Sequence, residues 1–269
     1  MIEHLRTGVS ASRARVALFD FDGTLSLIRA GWVEVMVPMM VEILLDLKTG
    51  EKEEDLRALV EEFVGRLTGK QTIYQMIELA RQVELRGAKP EDPLVYKRRY
   101  LDRLWVHIRH RVEDLERGAP PEKYLVPGSR ALLEALQARG LKMYLASGTD
   151  EFYMKREAEL LDVARYFEGG VYGALDDYKS FSKAILIQQI ISRAEASGEQ
   201  LLGFGDGYVE IENVKQVGGV AVGVATDEPE CAVVNQWKRG RLVSSGADFI
   251  IPNFACHAEL MAALFPNGK

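Results

Sequence analysis

Residues 16–19, Val-Ala-Leu-Phe, form an apolar run that stops at Asp20-Phe21-Asp22-Gly23-Thr24. A short apolar block closed by turn residues reads as a strand buried on both faces, the kind that parallel sheets contain. The chain then turns helical for a long stretch. A helix is expected over 32–47. Beyond it Leu56, Leu59, Val60, Phe63, Val64 and Leu67, then Ile73, Met76, Ile77, Ala80 and Val83, then Leu101, Leu104, Trp105, Ile108, Val112 and Leu115 recur at helical spacing. From Val126 the pattern alternates. A helix through Leu132, Leu133 and Leu136 ends at Gly140, and strands are expected at 141–146, 201–204, 221–224 and 249–251 with helical segments between them. This order predicts an α/β protein, a doubly wound parallel sheet with helices on both faces. The helical block 29–123 predicts an all-helical domain inserted after the first strand, so that the core comprises 1–28 and 124–269.

In an open parallel sheet the ligand site lies beyond the carboxyl ends of the strands. The first strand ends in two aspartates separated by one residue. In extended chain Asp20 and Asp22 share a face while Phe21 points to the core, and Gly23 permits a sharp turn. The second ends Ala146-Ser147-Gly148-Thr149, which predicts a hydroxyl and backbone N–H groups ahead of a helix N-terminus, an anion cradle. The strand at 201–204 ends Gly205-Asp206-Gly207. With a helix starting near Gly207, Glu210 lies one turn beyond Asp206 and faces the same point. Lys183 opens an amphipathic helix carrying Ile187, Ile190 and Ile191. A cation there opposes the helix dipole by about 0.3–1 kcal/mol, so helix formation does not account for it. Hard oxygen donors from Asp20, Asp206 and Glu210 suit Mg2+, and Ser147 and Lys183 suit phosphate oxygens. Asp20 is the candidate nucleophile and Asp22 the candidate acid and base.

Three competing motifs fail on count. A calcium loop starting at Asp20 needs glycine where Leu25 stands and glutamate where Gly31 stands. A dinucleotide fingerprint from Gly203 and Gly205 has Tyr208 at its third glycine. The segment 65–70 has three residues between its glycines where a phosphate loop has four, Gln71 follows its lysine, and it joins two helices.

The same residues in the same order resemble the haloacid dehalogenase superfamily, over 15–29 and from Val126 to about Phe265 but not across the helical insert. The resemblance implies a Rossmann-like core and a helical cap that closes over the site and selects substrates. It implies that Asp20 forms an aspartyl-phosphate and that Asp22 protonates the leaving group and then activates water. It also implies that Ser147, Gly148 and Lys183 bind the phosphoryl group, and that Mg2+ is held by Asp20, the backbone carbonyl of Asp22, and Asp206. Glu210 stands where aspartate is commoner. Asp22 argues against the dehalogenase branch, which lacks an acid there, and against ion-pumping relatives, which have threonine. Lys179 competes with Lys183 for the phosphate role, and the helix that follows Lys183 favours the latter.

The expectation is a Mg2+-dependent phosphatase of a small phosphorylated metabolite, such as a sugar phosphate or a phosphoglycolate-like acid. A phosphomutase of the same superfamily and an inactive ligand-binding or regulatory member are the alternatives. Arg29, Trp32, Lys70, Gln71 and Tyr74 are candidate substrate contacts. The basic run Lys97, Arg98, Arg99, Arg103, Arg109 and Arg111 reads as a solvated helix face, with His107 and His110 on its flank. A net charge of −6 gives no global field for nucleic acid or anionic lipid, so neither is an expected partner. Two cysteines make no disulfide framework. The first residues carry charges without an apolar block, and the most apolar stretch holds Glu34, Pro38, Glu42 and Asp46. A cytoplasmic protein is expected; the oligomeric state is not legible.

Overall fold

Val16–Phe19 (β2) is fully buried and is an interior strand of a seven-stranded sheet in the computed structural model, which describes residues 2–175 and 182–266. The other strands are Glu3–His4 (β1), Lys142–Asp150 (β3), Gly170–Ala174 (β4), Leu201–Gly205 (β5), Val220–Val224 (β6) and Phe249–Ile251 (β7). Their order is β1-β7-β6-β5-β2-β3-β4, and every pairing is parallel except β1 with β7. The chain winds outward from β2 through β3 and β4, then returns to β5 on the other side. A topological switch point therefore lies at β2, where ligand sites of such sheets form.

Alternate strand residues face opposite sides, and each side has its own helices. Ala17, Phe19, Leu145, Phe204 and Ile251 pack with Ser129–Ala138 (α5), Glu151–Leu160 (α6) and His257–Leu264 (α10). Val16, Leu18, Ala146, Leu201 and Ile250 pack with Lys183–Arg193 (α7), Tyr208–Gln216 (α8) and Gln236–Ser244 (α9). Stacked Phe19 and Phe204 rings, 4.4 Å between centroids, lock β2 to β5 directly beneath the strand ends.

Between β2 and the rest of the sheet run Trp32–Leu45 (α1), Glu53–Leu67 (α2), Thr72–Leu85 (α3) and the long Pro93–Glu116 (α4), with no strand among them. Each buries one apolar stripe, and these stripes join the hydrophobic cluster of the α5, α6 and α10 face. The basic face of α4 departs from the sequence expectation. Lys97 is buried and its ammonium lies 2.5 Å from Asp150 Oδ1 at the start of α6. Arg111 donates to the carbonyls of Ile28 (2.8 Å) and Ala30 (2.6 Å) in the segment leading into α1. Two members of the supposed solvated face are therefore struts between the insert and the sheet domain. Arg98, Arg109 and His110 are exposed as expected.

Among the described residues no helix is long and apolar enough to cross a membrane.

Candidate active site

The register Phe19↔Leu145 and Phe19↔Phe204 places Asp20, Ala146 and Gly205 at the same level at the carboxyl ends of three adjacent strands. The Asp20 N–H donates to Phe204 O, prolonging the ladder by one bond. The chain then folds over itself: the N–H groups of Leu25 and Ser26 donate to Phe21 O, and Gly23 turns with φ +75°. That φ strains any side chain at Gly23, and a Cβ there would also displace the carboxylate oxygens Asp206 Oδ2 and Glu228 Oε1. Thr24 ties the neighbouring strand end to this turn, its Oγ1 accepting from the Asp206 N–H at 3.0 Å.

Asp20, Asp22, Ser147, Gly148, Lys183 and Asp206 line one cavity of about 90 Å³. Lys183 opens α7, whose N-cap Ser182 accepts from the Ile185 N–H, and its ammonium lies 2.6 Å from Asp20 Oδ1. Asp22 Oδ2 accepts from Ser147 Oγ (2.9 Å) and from Thr149 Oγ1 (2.8 Å). The single Ser147 hydroxyl proton is thereby engaged with Asp22. Asp22 Oδ1 is buried without a hydrogen bond, 3.8 Å from Arg29 Nε. Arg29 itself forks onto Glu157, at 2.7 and 3.1 Å, with both side chains buried.

Two placements differ from the sequence reading. Ser147 and Gly148 do not precede a helix directly. β3 continues to Asp150 with its pairing to β4 irregular between Ala146 and Asp150, and α6 starts at Glu151. Glu210 is buried, but it does not line the cavity with Asp206. Its Oε1 is ion-paired with Lys183, because the first turn of α8 aims it at α7. Lys179 lies outside the described residues.

The candidate substrate residues divide. Arg29, Trp32 and Lys70 line the cavity with the catalytic candidates, whereas Gln71 and Tyr74 line an adjoining hollow that shares Lys70, Gly148 and Lys183 with it. The loop between α2 and α3 reaches the sheet domain at Gly148, where a Cβ would come within 2.8 Å of Lys70 O. Met36, Thr68, Gly69, Thr72, Gln75 and Tyr100 complete the insert's side of the cavity, and the sequence reading made none of them a candidate site residue.

Thr149, Glu228 and Lys238 were also missed. Thr149 lies two residues past Ser147, so the alternation that pairs Asp20 with Asp22 also puts both hydroxyls on Asp22. Lys238 and Glu228 come from the segment after β6, a strand end like the others. Lys238 Nζ lies 2.8 Å from Asp206 Oδ2 and 2.5 Å from Glu228 Oε1.

Asp20 and Glu210 thus face the Lys183 ammonium, Asp206 and Glu228 face the Lys238 ammonium, and Asp22 has as cation, among the described residues, only Arg29 at 3.8 Å, itself engaged by Glu157. Burial pushes the Asp20 carboxyl up to about 7; Asp206 and Asp22 push the same way, and Lys183 opposes them. An uncompensated cluster of hard oxygen donors suits a divalent cation. Among the described residues no three His, Cys, Asp or Glu side chains form a ready metal cluster. The set that the family resemblance implies needs only two such side chains, Asp20 and Asp206, with a backbone carbonyl as third donor; Glu210, the third carboxylate donor of the sequence reading, is taken up by Lys183. The residues present fit that group.

A family model for haloacid dehalogenase-like hydrolases matches residues 14–218. The chain belongs to this family of hydrolases. A search of curated protein sequences returns no match. Solved structures share the fold. A predicted phosphoglycolate phosphatase from Haemophilus somnus 129PT is 16% identical with a TM-score of 0.60, covering 93% of this chain and 98% of its own. A predicted phosphatase from Clostridium acetobutylicum is 18% identical with a TM-score of 0.58, covering 92% and 98%. A family hydrolase from Deinococcus radiodurans R1, solved with bound phosphate and sodium, is 15% identical with a TM-score of 0.53, covering 96% and 97%.

Proposed function

We propose that the chain is a Mg2+-dependent phosphatase acting on a small phosphorylated metabolite, with Asp20 as nucleophile and Asp22 as general acid and base. The observation that carries this reading is the pairing at the strand ends: Asp20 on a buried lysine, and Asp22 beside it on two hydroxyls. An Asp20 oxygen attacks phosphorus while the bond from phosphorus to the leaving oxygen breaks, and protonated Asp22 donates its proton to that oxygen. The Asp22 carboxylate then takes a proton from a water, whose oxygen attacks the phosphorus and releases phosphate from Asp20. Lys183 neutralises phosphoryl oxygens at the same cavity, Ser147 and Gly148 border them, and Glu210 orients the lysine. Asp20, the Asp22 carbonyl and Asp206 would hold Mg2+, which when bound supplies positive charge against the phosphoryl oxygens.

The helical insert roofs the cavity, which supports a small substrate and makes Trp32, Lys70, Gln75 and Tyr100 the groups facing its leaving portion; Gln71 and Tyr74 flank them. Phosphate release from a panel of metabolite phosphomonoesters, with and without Mg2+, tests the reading. Mg2+-dependent release by the wild type and none by Asp20→Asn is expected. Near-normal release by that variant sinks the mechanism, and sugar-phosphate isomers in place of free phosphate make the enzyme a mutase.

A further inference from the structure

Lys238 is the cation of this site that no substrate reaches. Lys183 lines the cavity; Lys238 and Glu228 do not, and they meet the site only through Asp206. We infer that Lys238, held by Glu228, is a positioning residue that fixes the Asp206 carboxylate for the divalent cation. The inference rests on the reading of Asp206 as a metal-holding residue.

The arrangement is built from several directions. Lys238 stands in the first turn of α9, where Asn235 Oδ1 accepts from its N–H at 3.0 Å. A cation in a first turn opposes the helix dipole, so helix formation does not explain this lysine. Its ammonium takes one oxygen of Asp206 and one of Glu228, and both oxygens lie within 3 Å of the Cβ position that Gly23 leaves empty. Asp206 is thus fixed at two points: by Thr24 at its backbone N–H and by Lys238 on Oδ2. The other oxygen, Oδ1, is left for a ligand. Glu228 cancels the charge of Lys238, so the pair adds little net repulsion toward an incoming cation, and its effect is orientation.

Mn2+ binding to the metal-free protein, followed by the electron paramagnetic resonance signal of free Mn2+, reads this directly without substrate. The charge-balanced variant Lys238→Met with Glu228→Gln should bind Mn2+ about 10-fold or more weakly, in the range for removal of outer-sphere partners. Lys238→Arg, which keeps the cation and both contacts, should stay within about threefold of the wild type. Unchanged or tighter binding by the double variant overturns the proposal. Asp206→Asn separates the two layers: if it binds Mn2+ as well as the wild type, the metal reading of Asp206 fails and the clamp with it. Should the double variant not fold, Glu228→Gln alone keeps the side-chain shape and should weaken Mn2+ binding severalfold; no weakening overturns the proposal.

Discussion

The cavity has a floor and a roof of different physical character. Strand ends of the sheet and the start of α7 supply the floor, where Asp20, Asp22, Asp206 and Lys183 line the cavity with Glu210, Glu228 and Lys238 paired behind them. The insert supplies the roof, whose side chains are mostly neutral: Trp32, Met36, Thr68, Thr72, Gln75 and Tyr100, with Lys70 and the Glu157-bound Arg29 its cations among the described residues. On the proposed function, the charged floor would act on the phosphoryl group of any substrate and the mostly neutral roof would discriminate by shape and by a few hydrogen bonds.

That contrast breaks most visibly at Asp20. Asp20→Asn should lower Mg2+-dependent turnover by about 10^4-fold or more, with the denaturation midpoint kept, because a nucleophile is lost without loss of volume. Next comes the seam between floor and roof. Arg29→Met strands Glu157 as a buried charge and should cost about 3–5 kcal/mol, read as a lower urea midpoint; replacing both residues by apolar side chains of similar volume should recover most of that loss. In the roof, Gln75→Ala and Lys70→Met should raise KM for the best metabolite by about 3–10-fold and reorder the substrate panel, with turnover of a generic small ester within about twofold. Equal losses on every substrate would show the roof taking part in the chemistry. The smallest effect is expected at Arg81→Ala on α3, whose pairing with Glu78 is exposed; the urea midpoint should not move measurably.

The floor was legible because its residues sit at strand ends, and β2, β5 and β7 are continuous apolar runs that announce their own termini. β4 was not, since in Gly170–Ala174 two glycines leave Val171 and Tyr172 as the only strong strand formers. β1 is two residues long and carries no periodicity at all. The partners of the charged groups were hidden for another reason. Glu210 could be placed one turn past Asp206, but which of two neighbours it faces depends on how α7 and α8 pack. Lys97 and Arg111 looked like solvent-facing residues because α4 is covered on more than one side, and a buried ion pair leaves no apolar mark in the sequence. In the roof the α2–α3 loop was found only through Lys70 and Gln71, while Thr68, Gly69 and Gln75 carry residue types that mean nothing until the loop is seen against Gly148.

The two segments that join insert and sheet run side by side. Leu27 N–H donates to Tyr124 O at 2.8 Å, Val126 N–H donates to Leu25 O at 2.9 Å, and Ser26 bridges Leu125. In polymer terms the whole insert is one closed loop whose ends are pinned at strand spacing. Loop-closure entropy grows only with the logarithm of length, about 0.6 kcal/mol for each doubling, so the sheet is nearly indifferent to how much chain hangs from that point. The pinning of the two connecting segments, and not the length of chain between them, then sets the spacing at which the chain leaves and re-enters the sheet.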